Sequence, residues 1–431
     1  MSKNKKTLSN KQKGGNKKQP SECIVIDDHI RCNIENTNPN WFTKWYPCNN
    51  KAINNTNVDW YTCDKNNDTN VQKYKCRPSL PSDKIPQGRG NLCEKQEPVL
   101  KNESNMCYMN SIIRCLFVID DLIDTILNNN FVEELERTSQ SKNDDGKITY
   151  LFLYFIYSII RGQDSVENSK NNMAIQMCPM IFKNQWNVQE DASEFTTKII
   201  EALSVSYGKI IENIFNIEMI KNHKYIQDVS GCRNKIGPIS KVVNDTMILL
   251  PIIDENTQNK IFQNVSKINE EISKIKDMNL SDLLNNYFQP TRWNFNCNYD
   301  DNLTKTERDK IPAKEVLVET TININKSPPW LIIALLRFIN DPMRNNRYKI
   351  KNKINMSETF NMSNNTYELR AISAHTGTLS SGHYIAYIKM NNQWIVYNDS
   401  IVEPYDSLKN ILEDHNYKTF TPYILFYKKI K

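Results

Sequence analysis

The hydrophobic period of the sequence changes once along its length, and this change limits the folds that the chain can adopt. Between residues 100 and 205, apolar side chains recur at steps of three and four, as in "SIIRCLFVIDDLIDTIL" and "QEDASEFTTKIIEAL", which is the period of amphipathic helices. From residue 313 onward, short runs rich in β-branched and aromatic residues follow one another, as is typical of strands. Helices first and strands second predict an α+β fold rather than alternating βαβ units.

Individual segments carry further predictions. The apolar run "YLFLYFIYSII" (150–160) is too short to span a bilayer and is predicted to be a buried helix. The polar residues 134–149 are predicted to form a loop. Within the mixed pattern that follows residue 205, "TMILLPI" (246–252) predicts a strand and "NLSDLLNNYF" a short capped helix.

The first 95 residues differ in composition from the rest. Residues 1–20 carry seven lysines and no acidic residue, which predicts a disordered basic tail or, as an alternative, a nuclear localisation patch. Without these lysines the net charge of +6 becomes −1, so nothing in the main body predicts a nucleic-acid partner. Residues 21–95 hold six cysteines at long, irregular spacings without a C-x-x-C pair. We expect an appended extension containing Cys and Trp there, with a structural metal as the alternative.

The cysteines also bear on the compartment. The chain contains 11 of them, an odd number, and its first twenty residues show no signal-peptide pattern. We therefore expect reduced thiols in a cytoplasmic or nuclear protein with no membrane partner.

Cys107 differs from the other cysteines by its position. It lies where the polar segment "LKNESNM" meets a helical pattern, so the free N–H groups and dipole of a helix N-terminus favour an anion there. We expect a lowered thiol pKa and a reactive thiolate at neutral pH. Cys115, two turns later on the packed face, is predicted to be a core residue. The alternative for Cys107 is a structural role as well.

A thiol nucleophile needs a base, and the base needs an orienting partner. The stretch "GHYIAYIKMNNQWIVYNDS" predicts two strands joined by a turn at "MNN". A hairpin centred there has paired residue numbers that sum to about 782, which pairs His383 with Asp399, or with Asn398 after a half-step shift. Either acceptor would hold one ring N–H and leave the other nitrogen as the base. The alternative is a solvent-exposed histidine at a strand start.

Four segments in this order resemble the sequence boxes of the ubiquitin-specific proteases: "LKNESNMCYMNS", "QEDASEF", "SPPWLIIALLRF", and "AISAHTGTLSSGHYIAY" followed by "WIVYNDSIV". The resemblance implies a catalytic domain over residues 96–431 with a papain-like hand. Its helical thumb would span 100–205, its finger sheet 206–312 and its palm sheet 313–430. The active site would lie between thumb and palm.

The resemblance also implies the role of each site residue. Cys107 would be the nucleophile and His383 the general base and then acid. Asn398 matches the third catalytic position, and Asp399 beside it would share or take over that role. Asn102, five residues before the nucleophile, matches the residue that stabilises the oxyanion.

Substrate-binding residues follow from the same resemblance. Asp191, in the helix that starts near Gln189, corresponds to an acidic residue that binds arginines of the ubiquitin tail; the alternative is a carboxylate that only stabilises the helix N-terminus. Glu194 would support Asp191 or be solvated. Gly377 and Gly382 would give flexible loops that admit only a Gly-Gly tail.

The sequence departs from the family at several positions. Ser104 replaces the usual glycine of the loop before the nucleophile, which costs up to about 1–2 kcal/mol if φ is positive. Met106 replaces a threonine, and Arg114 a glutamine. In the fingers, Cys232 and Cys297 have each lost the second cysteine of a C-x-x-C pair, so we predict no zinc and no cofactor.

The activity that the resemblance implies is a thiol-dependent deubiquitinase, which hydrolyses the isopeptide or peptide bond after the C-terminal glycine of ubiquitin. Its partners would be ubiquitin and ubiquitinated proteins. Two alternatives stay open: a ubiquitin-binding pseudoenzyme or scaffold with poor turnover, and a protease for a ubiquitin-like modifier.

Overall fold

The computed structural model describes five short strands between residues 23 and 76 and most of the chain from residue 100 to 431. The residues left out of this second part are 103, 129–130, 162–165, 184–187, 228, 231, 233–239, 264, 298–303, 305, 307–313, 342, 345, 379–380 and 391–392. The predicted basic tail lies outside the described residues, as does most of the predicted extension.

The five N-terminal strands form two small antiparallel sheets. Three of them pair in the order β1-β2-β3 and two pair as β4-β5. Their bounds are β1 Cys23–Ile26, β2 His29–Asn33, β3 Trp45–Asn49, β4 Tyr61–Cys63 and β5 Tyr74–Cys76.

From residue 100 on, seven helices come first within the described ranges. They are α1 Cys107–Phe117, α2 Asp120–Asn128, α3 Phe131–Ser139, α4 Asp144–Arg161, α5 Val166–Phe182, α6 Ala192–Tyr207 and α7 Lys209–Phe215. Every residue of α1 is buried, and α4 contains the long apolar run, as predicted. None of the helices that the structure describes is both long enough and apolar enough to cross a membrane.

The predicted loop over 134–149 is wrong. Helix α3 covers its first part, and α4 begins at Asp144. Phe131 and Thr138 are buried, two turns apart on one face, and the Thr138 hydroxyl donates to the carbonyl of Glu134 at 2.7 Å. The narrow buried stripe explains why a polar composition concealed the helix.

Four antiparallel strands form the finger sheet, in the order β10-β11-β6-β7. Their bounds are β6 Ile217–Tyr225, β7 Ser240–Asp245, β10 Thr291–Asn296 and β11 Glu315–Lys326. The predicted boundary at residue 313 placed β11 in the palm. It belongs to the fingers instead, because it pairs with β6 and β10.

The palm is an eight-stranded sheet in the order β20-β19-β18-β17-β21-β12-β8, with β16 paired to β17. The predicted finger interval contained β8, but β8 pairs in parallel with β12 and forms one edge of the palm sheet. The bounds are β8 Ile248–Pro251, β12 Trp330–Leu336, β16 Thr359–Met362, β17 Asn365–Gly377, β18 Gly382–Met390, β19 Gln393–Asn398, β20 Ile401–Tyr405 and β21 Thr421–Lys429.

Shorter elements complete the fold. In the described part of the chain, four α-helices follow the first seven: α8 Glu255–Gln263, α9 Ile268–Ser273, α10 Leu280–Tyr287 and α11 Leu408–Glu413. Two small ladders pair β13 Phe338–Asp341 with β14 Asn346–Lys349, and β9 Met278–Asn279 with β15 Ile354–Asn355. The buried helix α1 packs against β18 of the palm, which brings the start of the helix to the strand that begins at Gly382.

Candidate active site

Cys107 is the first residue of α1 and is 1% exposed. Burial raises the pKa of its thiol to about 11, and the charge of Asp399 adds to the increase. Hydrogen bonds from the backbone of Tyr384, Tyr108 and Cys107 itself act in the opposite direction. The expectation of a lowered pKa is therefore wrong for this state of the protein, because desolvation of the thiolate outweighs the helix N-terminus.

The loop before the nucleophile fixes Asn102. The side-chain oxygen of Asn102 accepts a hydrogen bond from the Met106 N–H at 2.9 Å, so the amide NH2 is the donor that is left for a ligand. The positive φ of this loop falls on Asn105, at 47°, and not on Ser104. Ser104 therefore does not carry the expected cost. Asn105, which has the positive φ, is an asparagine, and asparagine tolerates the left-handed region better than most residues.

His383 lies at the start of β18, and its Nε2 is 2.7 Å from Oδ1 of Asn398. The register differs from the predicted one by one residue: Ala386 pairs with Tyr397, and Met390 with Gln393. His383 and Asn398 are therefore diagonal neighbours across the two strands rather than opposite each other. Diagonal side chains on one face remain within reach, so the predicted contact forms in spite of the shifted register.

Asp399 occupies a second position beside the imidazole. Its Oδ2 is 3.6 Å from His383 Nε2, and its Oδ1 accepts from Nδ2 of Asn110 at 2.8 Å. Asp399 has a φ of 51°, which directs its side chain out of the regular strand path. Of the two candidate partners, Asn398 makes the shorter contact with the imidazole, whereas Asp399 connects the palm to α1.

Sequence reasoning missed Asn110. It is 3% exposed and its amide also lies 3.3 Å from the carbonyl of Leu100 and 3.2 Å from that of Lys101. It thus joins the start of the Asn102 loop to Asp399. The sequence contained one indication of its role: Asn110 comes three residues after Cys107 and so lies on the same face of the helix.

The sulfur lies next to the strand that carries the imidazole. The thiol of Cys107 is hydrogen-bonded to the backbone of Tyr384, the residue that follows His383. Gln189 also reaches this site, since its Nε2 lies 3.9 Å from Cys107 Sγ. A base with an oriented second nitrogen, next to a thiol at a helix start, is the arrangement that nucleophilic acyl transfer requires.

Asp191 is the N-cap of α6. Its Oδ1 accepts from the backbone N–H and the hydroxyl of Ser193 at 2.7 and 2.6 Å, so the alternative interpretation of Asp191 as a helix-stabilising carboxylate accounts for one oxygen. Its Oδ2 accepts from the Tyr423 hydroxyl at 2.6 Å. Glu194, by contrast, is exposed. Tyr423, which comes from β21, was not identified from the sequence.

The two glycines near His383 serve different purposes. Gly377 has a φ of 89°, which a glycine adopts without strain. At Gly382, an added Cβ would lie 2.2 Å from Nε2 of His375 and 2.4 Å from the carbonyl oxygen of Thr376. The expected flexible-loop role therefore does not describe Gly382, which sits in a strand and is small because another side chain packs against it.

Comparisons with known proteins show which family the chain belongs to. A sequence profile described as ubiquitin carboxyl-terminal hydrolase matches residues 99–427. The chain belongs to the ubiquitin carboxyl-terminal hydrolase family. Probable ubiquitin carboxyl-terminal hydrolase 4 of Schizosaccharomyces pombe is 24% identical over 363 residues, which cover 78% of this chain and 59% of that protein. Ubiquitin carboxyl-terminal hydrolase 8 of Saccharomyces cerevisiae is 24% identical over 348 residues, which cover 74% of this chain and 69% of that protein.

Among solved structures, the SAGA DUB module of Ubp8, Sgf11, Sus1 and Sgf73 bound to ubiquitin aldehyde is similar to this chain. The TM-score is 0.52 at 21% identity, with 77% of this chain and 69% of that chain covered. At this identity the likeness concerns the fold. The chain spans less than two thirds of several curated relatives, for example 59% of the protein from S. pombe and 41% of ubiquitin carboxyl-terminal hydrolase 4 from Vanderwaltozyma polyspora.

The fingers contain a disulfide between Cys232 and Cys297. The expectation of reduced thiols is wrong for this pair. The ends of the finger strands bring the two Cα atoms to 5.3 Å although 65 positions separate them in sequence, a proximity that the spacing did not reveal. Among the described residues, no three His, Cys, Asp or Glu side chains are grouped to hold a metal ion.

A buried pair of basic side chains lies behind Gly382 in this family member. Lys349 Nζ is 2.9 Å from Nδ1 of His375 and 2.7 Å from its carbonyl oxygen. Burial lowers the pKa of Lys349 to about 7, and the charges of Arg337 and Lys351 add to the decrease. Burial also lowers the pKa of His375 to about 3. The pair is thus held with less positive charge than it would carry in water.

These shifts predict how stability depends on pH. Because the pKa of Lys349 is lower in the folded than in the unfolded protein, the unfolded state binds more protons above pH 7, and stability rises with pH there. We expect the free energy of unfolding to increase from pH 7 to 8.5 and to increase less steeply in Lys349→Met. Urea unfolding at four pH values measures both slopes. The exposed Lys353→Met is the matched control and should keep the wild-type slope; an unchanged slope in Lys349→Met would contradict the prediction.

Proposed function

We propose that this chain is a thiol-dependent deubiquitinase that hydrolyses the isopeptide or peptide bond after the C-terminal glycine of ubiquitin. Two contacts carry the proposal. The Cys107 sulfur contacts the backbone of Tyr384 in β18, and His383, the preceding residue of the same strand, contacts Asn398. The solved neighbour bound to ubiquitin aldehyde supports ubiquitin as the modifier.

The chemistry begins with proton transfer. Asn398 accepts from His383 Nε2, which leaves Nδ1 free to take the proton of Cys107. The sulfur then attacks the carbonyl carbon of the terminal glycine. The Asn102 amide and the Cys107 N–H donate to the oxygen as its negative charge develops. Protonated His383 gives its proton to the leaving amine, a thioester forms, and water activated by His383 hydrolyses it.

The raised pKa of Cys107 makes the base necessary for this reaction. A buried thiol with a pKa of about 11 is almost entirely protonated at neutral pH. Transfer of its proton to His383 is therefore part of the attack, and the protein does not rely on a preformed thiolate. The side chains of Gln189 and Asp191 border this site and are proposed to contact the substrate tail, with Asp191 available to basic residues of that tail through its remaining lone pairs.

Covalent labelling tests the proposal. Ubiquitin with a reactive electrophile at its C-terminus should form a stable adduct with the wild-type chain and none with Cys107→Ala. The matched control is Cys115→Ala, which removes a buried thiol of the same helix and should leave labelling in place.

Other outcomes separate the alternatives. Binding of the probe without adduct formation would favour a pseudoenzyme. Labelling by an equivalent probe built on a ubiquitin-like modifier, and not by ubiquitin, would assign the chain to that modifier. Labelling through a cysteine other than Cys107 would remove the proposal.

A further inference from the structure

The disulfide in the fingers connects two strands that lie on opposite sides of a third. In the sheet order β10-β11-β6-β7, β10 and β6 each pair with β11, one on either side of it. Cys297 directly follows β10, and Cys232 lies in the segment that follows β6. The bond between them therefore reaches across the start of β11 and fixes the end of β10 to the far side of the sheet.

Hydrogen bonds also hold this end of the sheet together. The Ile226 N–H donates to the Leu317 carbonyl at 2.9 Å, and the Leu317 N–H donates to Oε1 of the exposed Gln227 at 3.0 Å. On the side of β10, the Cys297 N–H donates to the Lys314 carbonyl at 2.8 Å. A single hydrogen bond adds less net stability than a disulfide does, so the covalent bond is the stronger restraint here.

Strand β10 has little burial to keep it on the sheet. It is an edge strand, and residues 291–294 are all exposed. Arg292 Nε is 3.0 Å from Oε2 of Glu319 in an exposed ion pair, and such pairs add little stability. The Trp293 indole N–H donates to the Thr320 hydroxyl at 2.9 Å. A strand with so few buried contacts opens at a low free energy unless something else restrains it.

The two bridged cysteines differ in their access to solvent. Cys297 is 0% exposed, whereas Cys232 is partly exposed. A thiolate from solvent is therefore expected to attack the sulfur of Cys232, with the sulfur of Cys297 as the leaving group.

We propose that the bond between Cys232 and Cys297 is a reversible redox switch that controls whether β10 stays fixed to the finger sheet. A dithiol reductant supplies two electrons and two protons. One of its thiolates forms a mixed disulfide with Cys232, and Cys297 leaves as a thiolate that takes up a proton. The second thiol of the reductant then attacks the mixed disulfide, which releases Cys232 as a thiol and leaves the reductant as a disulfide.

Reduction is expected to loosen the fingers and to leave the candidate active site in place. Phe295 and Trp293 of β10 pair with Val316 and Val318 of β11, which are 2% and 0% exposed. Opening of β10 would therefore uncover apolar side chains of β11. Cys107, by contrast, lies in α1, which packs against β18 of the palm. The inference goes beyond the proposed function and does not depend on it.

Alkylation of the folded protein tests whether the bond can be switched. After incubation with dithiothreitol and without denaturant, iodoacetamide should label Cys232 and Cys297, and mass spectrometry should find both unlabelled in the untreated sample. Cys115 and Cys178, which are buried, are internal controls and should stay unlabelled. If labelling of the pair requires denaturant, the bond is permanent, and if it occurs before reduction, the bond is absent. Either result overturns the proposal.

Hydrogen exchange followed by mass spectrometry measures the opening of β10. At labelling times too short for global unfolding, the β10 amides should exchange at least about tenfold faster in the reduced than in the oxidised wild type, and the β17 and β18 amides should change less than about twofold. The double variant Cys232→Ser/Cys297→Ser is the matched control for effects of dithiothreitol on the other cysteines. It should resemble the reduced wild type with and without the reductant.

Reoxidation completes the test. Glutathione disulfide should restore slow exchange of β10 in the wild type and leave the double variant unchanged. Equal exchange of β10 in the oxidised and reduced wild type would show that the bond does not hold this strand, and equal acceleration in fingers and palm would show a general loss of stability. Either outcome, or a failure to reoxidise, overturns the switch. These measurements use no ubiquitin, so their result is separate from that of the proposed function.

Discussion

Replacement of His383 by alanine is expected to lower kcat/KM for a ubiquitin substrate about a thousandfold at pH 7.5, within the range typical of general acid–base catalysis. The physical reason is the buried state of Cys107. With a thiol pKa of about 11, roughly one sulfur in ten thousand is ionised at pH 7 without a base to take the proton. His383 directly precedes Tyr384, whose backbone contacts this thiol, and is the base that the proposed mechanism uses.

The pH profile of the same variant provides the sharper measurement. In His383→Ala, the rate should rise about tenfold per pH unit between pH 7 and 9, because the thiolate fraction does so below the thiol pKa. The wild type should depend less on pH, since its base removes the proton directly. His415→Ala, whose imidazole is 81% exposed on the surface, is the control and should follow the wild type. A flat profile for His383→Ala would exclude thiol ionisation as the limiting factor.

Gly382→Ala is expected to reduce kcat by more than about a hundredfold and to lower stability by about 1–3 kcal/mol, as overpacking does. The added methyl would overlap Nε2 of His375 at 2.2 Å and the Thr376 carbonyl at 2.4 Å. Relief requires β18 to move away from β17. Any such movement displaces His383, the next residue, from Asn398. Steady-state kinetics and thermal unfolding of the variant measure the two effects.

Gly208→Ala is a control that separates the loss of stability from the loss of activity on replacing a glycine. Gly208 has a φ of 60°, no atom lies within 4 Å of an added Cβ, and it stands between α6 and α7, outside the site described above. It should lose about 1–3 kcal/mol of stability, because a φ of 60° with a ψ of −140° is a conformation that residues other than glycine rarely adopt, and it should keep its kcat. If Gly382→Ala behaved in the same way, the close packing of His375 would have no catalytic importance.

Local sequence relations gave the main features of the site. Cys107 at a helix start and His383 beside Asn398 depend on spacings of a few residues within one helix and one hairpin. The hairpin prediction tolerated a one-residue error in register, because diagonal neighbours on a sheet remain within reach of each other. The α+β order likewise followed from the single change in hydrophobic period.

What the sequence did not reveal depends on contacts between distant segments. The raised pKa of Cys107 follows from what covers the sulfur, and Gln189 and Tyr384 come from elements far along the chain. Tyr417 meets Glu403 only after β20 and α11 have folded. The assignment of β8 to the palm and of β11 to the fingers depends on strand pairing, for which the hydrophobic pattern of a single strand carries no information.

The bridge between Cys232 and Cys297 makes a closed covalent ring of the intervening chain. Its described residues include β7, β8, α8, α9, β9, α10 and β10, so a strand of the palm lies within a loop that the disulfide closes in the fingers. A single cut by a protease within the ring leaves two fragments that cannot separate while the bridge is intact. Closing a ring of this size removes about 4 kcal/mol of chain entropy from the unfolded state, and the palm strand β8 shares in that restraint although it lies in another sheet.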